Sequence, residues 1–237
     1  MSSIERVRIL VVGDSGVGKT CLTHLIAHNE SLTHPGWTVG CSVEVKLHEY
    51  KEGTPQQKQC FIELYDVGGS LIHKSSRGVF YNPTNGIILV HDLTNRKSQE
   101  NLSGWLMEIL NKDGKDTLKS TSFDTVDFDT EQFFGSTQIP ILVIGTKLDL
   151  LDEKRRKRNS QNSTGIAEQC GAEEIWLSCR NSRSLAPGTT DAVKLVRFFD
   201  KVIEKKQIIR EGFNTSDRRR FVSPYTSPEQ SPLICSD

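Results

Sequence analysis

The stretch Gly13-Asp14-Ser15-Gly16-Val17-Gly18-Lys19-Thr20 constrains this chain more than any other. It reads G-x-x-x-x-G-K-T. It follows the β-branched run Val7-Arg8-Ile9-Leu10-Val11-Val12 and precedes Leu22, Leu25 and Ile26 at helical spacing. Strand, glycine loop, helix is the setting in which this pattern binds phosphate. Glycines let backbone amides close around phosphate oxygens, and the helix start adds its partial positive charge. In that arrangement Lys19 reaches the β- and γ-phosphates and the Thr20 hydroxyl completes a Mg²⁺ shell. The expected ligand is a nucleoside triphosphate.

The 237 residues allow one large domain, or a domain with a tail, and ample length for a core. Lys+Arg 30 balance Asp+Glu 30, so no global charge points to nucleic acid or to a membrane surface. Six cysteines at 21, 41, 60, 170, 179 and 235 show no C-x-x-C spacing and read as reduced thiols rather than disulfides or a zinc site. No apolar signal segment or membrane-length run occurs, and Ser2 does not fit N-myristoylation. A soluble, cytoplasmic protein is expected.

Residues 4–12 read as the first strand and 19–29 as the first helix. From 42 to 50, Val43, Val45 and Leu47 alternate with Glu44, Lys46 and His48, a half-exposed strand that pairs through the 51–55 turn with a second at 59–65. Buried strands are expected at 86–90 and 139–145 and a shorter one at 175–179, with helices at 98–110 and 191–209. Alternating strands and helices give an α/β domain of three layers around a six-stranded, mostly parallel sheet. That domain spans 4–209 with an insertion at about 112–138. The remainder, 210–237, carries three Ser-Pro pairs and is expected to be a disordered tail open to phosphorylation.

Two stretches stand outside the pattern. The insertion mixes acidic residues with Phe123, Phe128, Phe133 and Phe134, and reads either as an irregular surface excursion or as a partner-docking loop. Lys154 to Arg158 reads as a solvated helix start ahead of a docking patch.

Gly145-Thr146-Lys147-Leu148-Asp149 closes a buried strand. A carboxylate there accepts hydrogen bonds from guanine N1–H and its 2-amino group, which adenine does not supply. Together with the glycine loop and with Asp66-Val67-Gly68-Gly69, this pattern resembles the Ras-type small GTPases, within them the Rab and Rab-like branch, over residues 5 to about 209. The resemblance implies a guanine nucleotide, GTP or GDP, with Mg²⁺, held by Asp14, Ser15, Gly16, Val17, Gly18, Lys19, Thr20, Cys21, Thr38, Gly69, Thr146, Lys147, Asp149, Ser178, Cys179 and Arg180. Thr20, Thr38 and Asp66 would serve the metal, Asp66 through water. Lys19, Thr38, Gly69 and Ser70 would form the hydrolytic group, and loss of the γ-phosphate would release both switch segments. Effector and regulatory proteins of small-GTPase signalling are the implied partners, with a role in prenylation of other small GTPases as a further implication. Self-association as a homodimer, through the hairpin and the Phe-rich insertion, stays open.

Departures from the family pattern shape the expectation. Ser70 stands where the family has a water-orienting Gln, and a short hydroxyl cannot both accept from water and donate to phosphate as the amide does. Intrinsic hydrolysis is expected below the ~10⁻⁴ s⁻¹ scale. Thr146 replaces the usual Asn, and Ser31 stands where an aromatic stacks on the guanine, which favours faster exchange. Switch residues 70–77 lack the usual acidic groups. Cys235 is followed by Ser236-Asp237, so no C-a-a-X lipid site is expected, and membranes would be reached only through partners. Two functions therefore remain: a slow Mg²⁺-dependent GTP/GDP switch, or an interaction module that holds GTP as a fixed ligand. A kinase or ATPase is disfavoured by Asp149 and by the lack of an acceptor domain.

Overall fold

Strand residues along β1 (Glu5–Val12) point alternately to two faces, and both faces are apolar. Val7, Ile9 and Val11 enter one core; Leu10 and Val12 enter another. A strand buried on both sides needs helices on both sides, and that dictates three layers. The computed structural model describes residues 4–113, 139–152 and 165–218. Its sheet has the order β2-β3-β1-β4-β5-β6, with β2 (Cys41–Tyr50), β3 (Lys58–Val67), β4 (Gly86–Asp92), β5 (Ile141–Thr146) and β6 (Glu173–Trp176). Only the β2–β3 hairpin pairs antiparallel; the other neighbours run parallel. The strands β1 and β3 to β6 thus end along one edge of the sheet.

One face carries α1 (Lys19–His28) and α5 (Thr190–Arg218), where Leu22, Leu25 and Ile26 meet Phe198, Phe199, Val202 and Ile203 across the sheet's apolar residues. The other carries α3 (Leu102–Asp113) and α4 (Ile166–Gln169), with Leu102, Trp105, Leu106 and Ile109 over Leu10, Ile87, Leu89 and Val143. Each of these buried aliphatic side chains contributes about 1.5–3 kcal/mol relative to exposure.

Several boundaries differ from the expectation. The helix expected at 98–110 is two helices, α2 (Arg96–Glu100) and α3, joined at Asn101. The Asn95 side chain accepts from the Lys97 amide and starts the first of them two residues earlier. β6 occupies 173–176 rather than 175–179, because its partner β5 sets the pairing, Leu142 opposite Glu173 through Gly145 opposite Trp176. β5 itself begins at Ile141 rather than 139. The last helix continues to Arg218 instead of stopping at 209. Within the insertion, residues 114–138 lie outside the described residues, as do Lys154 to Arg158 and the tail from 219.

The alternation in β2 has the opposite polarity to the usual one. Val43, Val45 and Leu47 are the exposed members, while Glu44 and Lys46 are half-buried and His48 is buried. The inner face of this edge strand meets polar residues of α5 at the margin of the core, where the His48 ring packs edge-on against Phe199 and Tyr50 is buried. His48 pairs with Asp200 of α5 at 2.8 Å and Tyr50 donates to Glu204 at 3.2 Å. The apolar stripe is left facing solvent.

Candidate nucleotide site

β1 and β4 run parallel with Val12 opposite Leu89, so the Val90 carbonyl stands beside the turn leaving β1. Gly13 makes that turn at φ 150°, and a Cβ there would lie 2.1 Å from the Val90 oxygen. Only glycine passes. The loop then folds over Lys19, whose buried ammonium donates to the carbonyls of Gly13 at 2.9 Å and Asp14 at 2.8 Å. Burial pushes the lysine down to about 8, against the pull of the Asp66 and Asp14 carboxylates. Gly18, at φ 99°, opens α1, so the first amides of the helix face the loop.

Residues far apart in sequence converge beside this lysine. Thr20 Oγ1 donates to Asp66 Oδ2 at 2.6 Å, and Thr38 Oγ1 donates to the same oxygen at 3.1 Å. The two hydroxyls are 3.0 Å apart. Asp66 Oδ1 is buried without a hydrogen-bond partner among the described residues. Two hydroxyls and a carboxylate are hard oxygen donors, and the orphaned oxygen still needs a cation or a water. The set fits Mg²⁺. After Asp66, the Gly68 amide donates to the Gly40 carbonyl at 2.8 Å, joining this turn to the segment that carries Thr38. Gly69 rests on the glycine loop itself: a Cβ there would lie 2.6 Å from Gly13 O, Asp14 C and Ser15 N. Ser70 follows at the start of a short 3-10 turn, and its hydroxyl caps nothing.

The far end of the site forms where β5 and β6 end. Thr146, fully buried, donates its hydroxyl to the carbonyls of Val17 or His91, bracing the glycine loop against the sheet. Lys147 takes a left-handed conformation at φ 60° and its Nζ donates to Asp92 Oδ2 at 2.7 Å. Burial alone would raise the Asp92 carboxyl, but Lys147 and the Thr94 donors hold it below its ordinary range. The Leu148 amide donates to the Leu177 carbonyl at 3.2 Å, which brings the 146–149 turn beside Ser178-Cys179-Arg180. Asp149 is exposed and makes no hydrogen bond among the described residues, so its carboxylate is free for a ligand. Burial pushes the Cys179 thiol up to about 12, with Cys21 and Asp149 adding to the shift. Ser15 and Gly16 are exposed at the tip of the loop, and Arg180 and Ser31 are exposed.

One part of the arrangement had no sequence signal. The Asp14 carboxylate does not face the loop interior; it accepts from Asn101 Nδ2 at 2.7 Å and Trp105 Nε1 at 2.9 Å, both near the start of α3. Asp14 can therefore serve a phosphate only through its backbone. The Arg77 guanidinium lies 3.7 Å from the centre of the Trp105 ring and donates its Nε to Glu108 at 2.7 Å. Tyr81 donates to the same carboxylate at 2.8 Å. Burial would raise Glu108, yet Arg77 and Tyr81 hold it low. A continuous contact thus runs from residues 77–81, through α3, to the glycine loop. Trp105→Phe keeps a ring under Arg77 but strips Asp14 of one donor. Denaturant melts should show a loss of about 1–2 kcal/mol. A cycle with Asp14→Ala should show coupling, the double variant losing less than the sum of the singles; strict additivity would mean the bond does not matter.

Several large apolar side chains near this site are exposed, among polar ones such as His73, Lys74 and Ser75. Trp37 is 91% exposed and Ile72 86%, with Val39, Leu71 and Val79 also exposed and the β2 stripe alongside. No described helix is long and apolar enough to cross a membrane.

Comparison with known proteins agrees with this geometry. Residues 8–124 match the family model described as "Ras of Complex, Roc, domain of DAPkinase". Rab-like protein 3 of Mus musculus is 54% identical over 93% of this chain and 95% of its own length, and that of Danio rerio is 51% identical over 93% and 97%. Small GTPase LIP1 of Arabidopsis thaliana is 30% identical over 94% of this chain and 66% of its own length. With a glycine loop, an Asp-Val-Gly-Gly turn and a T-K-x-D strand end folded into one site, and with near-full-length relatives at this identity, the chain belongs to the Rab-like family of Ras-superfamily small GTPases.

Proposed function

We propose that this protein is a Mg²⁺-dependent GTP/GDP switch with slow hydrolysis. The convergence of Thr20, Thr38 and Asp66 beside Lys19 carries this reading. Thr38 belongs to the segment before β2 and Asp66 to the segment before Gly69, so one ion and one γ-phosphate would hold both together. When bound, Mg²⁺ supplies neutralising charge at the phosphates. The chain's own residues do the rest. Lys19 exchanges its two loop carbonyls for phosphate oxygens, the Gly69 amide faces the γ-position, and Asp149 accepts from the guanine edge while Lys147 and Thr146 hold that turn in place. Cys179, a neutral thiol, contributes its backbone amide rather than its sulfur.

The exposed apolar surface from Trp37 to Val79, with Val43, Val45 and Leu47, supports a docking face for effectors and regulators. It adjoins both segments that would respond to nucleotide. A second reading, GTP as a fixed ligand of an interaction module, is favoured by Ser70 and Ser31. The experiment that separates them is single-turnover hydrolysis of bound GTP, in the natural chain and in Ser70→Gln. The variant should be faster by about tenfold or more, because the amide both accepts from water and donates to the γ-phosphate. An unchanged rate would place the defect elsewhere and favour the module. Chromatography of nucleotide extracted from purified protein should show guanine, not adenine.

A further inference from the structure

The geometry points to a transition-metal site, of the kind that takes Zn²⁺, formed by His24 and His28 of α1 and Glu44 of β2. Positions i and i+4 lie one above the other on a helix, and here the two rings stand with centroids 4.6 Å apart. Glu44 faces them from the edge strand: Oε2 is 2.9 Å from His28 Nε2, and Oε1 is 4.0 Å from His24 Nδ1. One ligand atom from each residue falls within 4.8 Å of the others. Ligands on a tetrahedral ion with bonds of about 2.0–2.1 Å stand about 3.3–3.4 Å apart, so small side-chain rotations close the set.

Two imidazoles and a carboxylate match the donor preference of Zn²⁺ and differ from the all-oxygen set at Thr20, Thr38 and Asp66. The side chains are 25%, 46% and 31% exposed, which gives an ion a way in and leaves its fourth position to water. A plain ion pair would need only one of the histidines, and at this exposure it would be worth little. The second ring, held beside the first and toward the other carboxylate oxygen, is what a shared ion requires.

The position gives the site a consequence. α1 ends at His28 and β2 begins at Cys41, so the segment between them, with Thr38, is bracketed by the three ligands. An ion held there fixes both ends of that segment to each other, away from the nucleotide.

Zn²⁺ titration of the full chain, with GDP and Mg²⁺ present throughout, tests the site. Saturable binding is expected, with His28→Gln and Glu44→Gln each weakening it by about 10–100-fold and the His24→Gln/His28→Gln double variant abolishing this component. Thiols are common to all forms and cancel in the comparison. Thermal melts give a second readout: Zn²⁺ should raise the melting temperature of the natural chain and not of the double variant. Without metal the two should melt alike, since the substitutions are near the surface and keep helix propensity. Equal Zn²⁺ affinity in the natural chain and the double variant, or no saturable binding in either, would overturn the proposal and leave a His–Glu ion pair.

Discussion

Asp149→Asn should weaken guanosine nucleotides by about 10²–10⁴-fold and raise the relative affinity for xanthosine nucleotides. A carboxylate offers only acceptors, and guanine presents two donors to it at N1 and the 2-amino group. An amide keeps one acceptor and turns an N–H toward the second donor. One charge-assisted hydrogen bond is lost and one donor is left facing another, a combined cost of about 3–6 kcal/mol. Xanthine carries an oxygen at position 2, so the same amide N–H gains an acceptor. Loss of structure does not confound the result, because Asp149 is exposed and makes no hydrogen bond among the described residues. Competition against a fluorescent guanosine nucleotide, with Mg²⁺ supplied, reads both halves of the prediction. Wild-type affinity for GTP in the variant would remove Asp149 from the base site.

The parts of this site written as contiguous residues were legible before any coordinates. The glycine loop, the Asp-Val-Gly-Gly turn and the T-K-x-D strand end each sit at the end of a strand, and a parallel sheet brings strand ends together. That Thr20, Thr38 and Asp66 serve one metal was implied by the family resemblance alone, and their oxygens stand 2.6 to 3.1 Å from one another. What stayed hidden depends on partners that no local pattern encodes. Asp14 reads as a loop residue, yet its carboxylate is taken by side chains 87 and 91 positions away. Asp92 ends a buried strand with no sign that Lys147 will reach back to it.

β2 shows the limit of periodicity. Its alternation marks a strand but not which face is inward, because that depends on what packs beneath. Here α5 offers Asp200 and Glu204, so the polar set turns in and the valines turn out. The break at Asn101 is of the same kind. An apolar stripe continues across it, and Asn101 still accepts the Trp105 amide at 3.2 Å while its own amide donates to Lys97 at 3.0 Å. Apolar spacing alone reads straight through such a joint. The shift of β6 to 173–176 has a different cause: edge-strand limits follow the register of the neighbour, and the apolar run at 175–179 extends into the loop that carries Ser178.

Gly69→Ala should abolish discrimination between GTP and GDP while leaving nucleotide binding in place. The added methyl would lie 2.6 Å from Gly13 O, Asp14 C and Ser15 N, all of them backbone atoms. One side must move. The glycine loop is the worse candidate, since Gly13 is wedged against Val90 and Thr146 ties Val17 to the sheet. The turn after Asp66 moves instead, carrying the amide of residue 69 away from the γ-position and loosening the Gly68–Gly40 bond at 2.8 Å. Because other residues would hold the base and the β-phosphate, GDP affinity should stay within about threefold, less than 1 kcal/mol. Hydrolysis should fall at least about tenfold, and protection of residues 70–80 from protease by a non-hydrolysable GTP analogue should disappear. Ser70→Gln adds a side chain for the water and the γ-phosphate but leaves the amide of residue 69 where it is, so it should leave that protection intact, and the pair of variants separates sensing the γ-phosphate from cleaving it. Protection in Gly69→Ala equal to that of the natural chain would mean that the amide at 69 does not read the γ-phosphate, and the coupling would then have to run through Thr38 and the metal.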